Sequence, residues 1–132
     1  MTNFLSPLRK PVKFESVRWF DSQTTPGVRF AVREPSLSKR IDLTRQLNEL
    51  TLRHEFLASG GELQQLELTL AELLVQKLLI EWGLATIENL RIDGKAANAE
   101  LLIEAGPEQL VVEIAAAIKK SCSLDEEERK NS

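Results

Sequence analysis

The sequence predicts a single α+β domain that is mostly helical and begins with a β-hairpin. Two observations favour this class: alternating apolar and polar residues flank a turn-rich segment at 22–27, and long stretches with helical apolar spacing follow. The 132 residues suit one domain that buries a core without disulfides. We expect a flexible arm over residues 1–15, the domain over 16–122 and a charged tail over 123–132. Within the domain, the predicted parts are a β-hairpin at 16–33, a helical hairpin at 36–82 and a C-terminal helical part at 97–121.

The predicted β-hairpin has its clearest alternation in the second strand. Val28, Phe30 and Val32 would face the core, whereas Arg29 and Arg33 would face solvent. The residues between the strands are rich in turn formers and end in Pro-Gly. Because an isolated hairpin is marginally stable in water, it must pack on helices or extend a partner's sheet.

The predicted helical hairpin consists of two long helices joined by Gly60-Gly61. In the first helix, leucines 43, 47, 50 and 57 lie on one face, and His54 occupies the remaining position of that stripe. The second helix is predicted over 62–82 and ends at Gly83. Its aliphatic surface is wider than one neighbouring helix would cover. This helix is therefore either central in the fold or in contact with another chain.

The second helix supplies the candidate binding residues. They share an apolar side chain on its broad aliphatic surface, with the tryptophan at the edge, and are Leu66, Leu70, Leu73, Leu74, Leu78 and Trp82. Trp82 is included because tryptophan is enriched in binding hot spots. The alternative for each of them is packing in the domain's own core.

The C-terminal part is predicted from turn and capping signals. Asp93-Gly94 indicates a tight turn between very short strands. Asn98 would cap a short helix over 99–104, and a further helix is expected over 107–120. Its apolar face comprises Leu110, Val111, Ile114, Ala117 and Ile118. A capping box at 123–126 predicts one more helical turn.

Residues with catalytic or metal-binding chemistry are few. The chain has one histidine, His54, and one cysteine, Cys122, so a nucleophilic enzyme would have to use them. We interpret both as packing residues, and the single cysteine fits a reducing compartment. The sequence contains no cysteine and histidine residues at the spacing of a zinc site. It also lacks carboxylates in the order of a calcium-binding loop, and it has no phosphate-binding loop. The sequence thus predicts a protein that is not an enzyme and has no cofactor.

The net charge and its distribution along the chain indicate which classes of partner the protein could bind. The formal net charge is −3, made up of +4 over residues 1–60 and −7 over residues 61–132. The acidic total and the scattered basic residues argue against nucleic-acid binding. No apolar stretch has the length of a membrane span. The positively charged half at 1–60 and the negatively charged half at 61–132 could attract each other within the fold or between subunits. Alternatively, they could form two ordinary solvated faces.

Six segments together resemble a family of small proteins encoded in tailed phages and prophages. The segments are GVRFAVR at 27–33, SLSKRIDL at 36–43, EWGL at 81–84, LRIDGK at 90–95, LIEAGPEQL at 102–110 and LDEEERKNS at 124–132. This order is similar to that of tail assembly chaperones of long-tailed phages. The resemblance spans about residues 27–132 and includes no catalytic motif.

The resemblance implies a helper protein of the host bacterial cytoplasm that is absent from the virion. Such chaperones bind the apolar helical stretches of the tape-measure protein, recruit tail-tube subunits and self-associate. A helix lying in an apolar groove is the expected binding mode. The alternative is a structural tail or head-tail completion protein retained in the particle. That protein would expose a hairpin for strand addition between neighbours, and residues 28–33 could serve.

Overall fold

The structure, a computed structural model, describes residues 16–57 and 61–122. The predicted arm at 1–15, the Gly60 end of the interhelical link and the predicted tail at 123–132 lie outside the described residues. The elements in chain order are β1 (Ser16–Asp21), β2 (Arg29–Glu34), α1 (Leu37–Leu57), α2 (Gly61–Gly83), β3 (Leu84–Glu88), β4 (Arg91–Ile92), β5 (Lys95–Ala96), α3 (Ala99–Ala105) and α4 (Glu108–Ser121). The predicted mostly helical α+β class with an N-terminal hairpin is confirmed.

The main sheet has three antiparallel strands in the order β1-β2-β3. Trp19 of β1 and Thr86 of β3 both pair with Ala31 of β2, and the β2–β3 register shifts immediately after Ala31. β2 is therefore the central strand. The hypothesis that residues 28–33 could accept a neighbour's strand is wrong, because β1 and β3 already occupy both edges of β2.

β3 was missed by the sequence analysis. It follows α2 without a connecting loop, and its five residues do not alternate cleanly between apolar and polar side chains. Leu84 and Ile87 are buried. Only the pairing with β2, more than fifty residues earlier in the chain, makes this segment a strand.

The core lies between the inner face of the sheet and the helices. Phe30 and Val32 of β2 and Ile114 and Ile118 of α4 are essentially inaccessible to solvent and belong to one cluster. The Phe20 ring stacks on Phe30 at a centroid distance of 5.3 Å. Burial of apolar side chains such as these is the main favourable contribution to folding.

The short C-terminal elements follow the predicted turn and capping signals. Asp93 and Gly94 both have positive φ angles, 52° and 78°, as the tight turn between β4 and β5 requires. Asn98 Oδ1 accepts a hydrogen bond from the Leu101 N–H at 2.8 Å and caps α3. α4 begins at Glu108, directly after Pro107.

Candidate partner-binding surface

The helical hairpin positions the predicted binding residues. α1 and α2 pack against each other, and His54 Nδ1 lies 2.7 Å from Glu67 Oε2 across the pair. This contact joins the described end of α1 to the early part of α2. The two side chains are partly buried, so the polar contact satisfies groups that would otherwise be costly to bury.

The six predicted binding residues divide into two groups. Leu66, Leu70 and Leu73 are exposed to solvent by 65%, 44% and 51%. Their spacing of four and three residues places them on one face of α2. We call these three residues the α2 stripe. The sequence named these three residues together with the remaining three and did not separate the two groups.

The other three residues lie closer to the body of the domain. Leu74 and Leu78 line a shallow groove beside Leu50 of α1. Leu78 and Trp82 are half-buried and pack against the core cluster. They hold α2 on the domain, so less of their surface is available to a partner than that of the α2 stripe.

Exposed apolar side chains concentrate on the helical hairpin. Among the described residues, seven of the ten large exposed hydrophobic side chains lie on α1 or α2. Four of them are on α1: Leu37, Ile41, Leu52 and Phe56, the last being 87% exposed. The sequence analysis missed these four, although they lie off the stripe marked by Leu43 and could have been found from their position around the helix.

The two residues considered for catalysis occupy structural positions. His54 is held by Glu67, as described above. Cys122 is buried at the end of α4 and belongs to the core cluster. Burial raises the pKa of the Cys122 thiol, and the nearby Arg40 charge opposes this effect only in part. A buried thiol with a raised pKa is a poor nucleophile.

The described part of the chain has neither a metal-binding cluster nor a membrane-spanning helix. Its histidine, cysteine, aspartate and glutamate side chains form no group of three that could hold a metal ion. None of its helices combines the length and the apolar character needed to cross a membrane. The described residues do offer an apolar surface on the helical hairpin.

Comparison with known proteins gives no relative. No family model, curated protein or solved structure matches this chain.

Proposed function

We propose that the protein is a tail assembly chaperone of a tailed phage or prophage. It would bind the tape-measure protein and tail-tube subunits in the host bacterial cytoplasm and self-associate while doing so. One observation carries the proposal: the α2 stripe presents three leucines to solvent on a regular helix. The resemblance in the sequence supplies the identity of the partners.

The α2 stripe has the properties that a helix-binding surface needs. Leu66, Leu70 and Leu73 repeat at the spacing by which one helix packs against another. Ile80, further along α2, is completely buried in the domain, so the C-terminal part of the helix is fixed. Because the stripe already lies on a formed helix, its leucines can cover an apolar helical stretch of a partner without folding first.

The test is co-expression of the full chain with the tape-measure protein of the same phage, followed by affinity pull-down. The native chain should keep the tape-measure protein soluble and elute with it. Leu66→Asp and Leu73→Asp should each reduce the recovered partner at least tenfold, because an unpaired carboxylate would be buried in the complex.

The matched control is Val112→Asp, which places the same charge on an exposed position of α4. This variant should recover as much partner as the native chain. Circular dichroism should show that all three variants are folded, since each replaced side chain is about half exposed or more. Full recovery with both leucine variants, or an insoluble partner with the native chain, would contradict the proposal.

The alternative is a structural protein retained in the particle. It could not use residues 28–33 for strand addition, because β2 is central in the sheet, and β1 is the outer strand of the hairpin. Mass spectrometry of purified particles separates the two functions. A chaperone should be missing from the particles, and a structural protein should be present at a fixed number of copies.

A further inference from the structure

A second apolar surface lies on the other side of the helical hairpin. It is an open groove of about 720 Å³ between α1, α2 and the end of α4. We call it the α1–α4 groove. Its apolar lining comprises Leu37, Ile41, Leu47, Val75, Leu79 and Cys122. Val75 points away from Leu73, because two residues along a helix correspond to a rotation of about 200°.

The groove has a buried floor and an exposed lip. Leu79 and Cys122 are almost inaccessible to solvent, whereas Leu37 is 70% exposed. Ile41, one helical turn beyond Leu37, is also exposed. This apolar lip is uncovered in the described part of the chain, which is the arrangement of a docking site rather than of a core.

The charged residues of the groove have one sign. Arg40, Arg45 and Lys119 line it, and none of its lining residues is acidic. Arg45 has one long contact with Asp42, 3.9 Å between nitrogen and oxygen, and both side chains are mainly exposed. The Arg40 charge also acts on the Cys122 thiol at the floor. In a chain of net charge −3, this groove is therefore a local basic site.

We propose that the α1–α4 groove binds an apolar helical segment of a partner protein whose flanking residues are acidic. The apolar residues would pack on Ile41 and Leu47, and the carboxylates would pair with Arg40 and Lys119. The groove follows α1 from Leu37 to Thr51, a length of about 20 Å that suits a helix of about 14 residues. This site is separate from the α2 stripe, so it does not depend on the proposed chaperone function.

The test uses two fluorescein-labelled amphipathic peptides of about 14 residues and the full chain, with fluorescence anisotropy as the readout. The peptides share their leucine positions and differ only in flanks of glutamate or lysine. The glutamate-flanked peptide should bind at least about tenfold more tightly, and added salt should weaken it. Equal affinity of the two peptides would overturn the proposal.

Variants locate the peptide on the protein. The double variant Arg40→Gln with Lys119→Gln removes two positive charges of the groove and should lower the affinity about tenfold. The double variant Leu37→Gln with Ile41→Gln removes the apolar lip and should lower the affinity by a similar factor. Arg53→Gln with Lys95→Gln removes two exposed positive charges outside the groove and should leave the affinity unchanged.

Other occupants give different results. If the peptide binds only after residues 123–132 have been deleted, the chain's own acidic segment occupies the groove and the proposal is wrong. If the protein dimerises at the concentrations used and the Leu37→Gln with Ile41→Gln variant abolishes the dimer, a second copy is the occupant. Loss of affinity in the Arg53→Gln with Lys95→Gln control would show nonspecific charge attraction and would also overturn the proposal.

Discussion

At the scale of single residues, Glu113 of α4 ties the β1–β2 connection to the helix. Its carboxylate accepts hydrogen bonds from the Ser22 hydroxyl at 2.7 Å, the Gln23 N–H at 2.6 Å and the Thr24 hydroxyl at 2.8 Å. Burial by itself would raise the pKa of Glu113. The hydrogen bonds outweigh burial and hold this pKa below its ordinary value of 4.5.

We expect Glu113→Gln to lower the free energy of unfolding at pH 7 by about 1–3 kcal/mol, because a charged acceptor of several donors is lost. Since the folded-state pKa is lowered, the stabilisation is complete above about pH 4.5 and is lost as the pH falls through the folded-state value. Urea unfolding at pH 7 and at successively lower pH measures both effects.

The matched control is Glu72→Gln, an exposed glutamate of α2. Its unfolding curves should follow those of the native chain. The free energy of unfolding of the native chain and that of Glu113→Gln could fall in parallel as the pH is lowered. In that case Glu113 is not the group whose protonation destabilises the protein.

At the scale of elements, the end of α2 passes very close to α4 at Gly83. A Cβ atom on Gly83 would lie 2.5 Å from Cγ2 and 3.0 Å from Cγ1 of Ile118, which is completely buried. The glycine that ends the predicted helix is thus also the residue that lets α2 and α4 pack together. The sequence indicated the first role and could not indicate the second.

We expect Gly83→Ala to lower the free energy of unfolding by about 1–3 kcal/mol, because the new methyl group would force the buried Ile118 side chain to shift. Thermal unfolding measures the change. In the double variant with Ile118→Ala, the combined loss should be smaller than the sum of the single losses, since the clash disappears. Additive losses would contradict this account of Gly83.

The elements also show what local pattern could predict. The β1–β2 hairpin, the two long helices, the Asp93-Gly94 turn and the Asn98 cap were predicted because each depends on residues near one another in sequence. β3 was not predicted, because its strand character comes from pairing with β2. For the same reason the sequence could not place residues 28–33 at the centre of the sheet.

At the scale of the whole molecule, burial is uneven along the helical hairpin. Leu79, Ile80 and Leu84 are buried where α2 meets the rest of the domain. Leu52 and Phe56 of α1 and the α2 stripe are exposed towards the other end. Since local stability follows burial, the two ends of the hairpin should open with different free energies.

We expect amide hydrogen exchange of the full chain to be slowest in β2, α4 and residues 79–84, and faster over residues 50–56 and 65–73. Mass spectrometry of peptides after timed deuteration measures this difference. Exchange over 65–73 as slow as over 79–84 would contradict it.

The sequence by itself determined the fold class, most of the local elements and the broad apolar surface of α2, because helical periodicity, turn residues and caps act over a few residues. The tertiary structure decided which leucines of α2 are exposed and which pack against the domain. It also decided the central place of β2 and the basic lining of the α1–α4 groove. These features depend on residues from distant elements, and only packing brings such residues together.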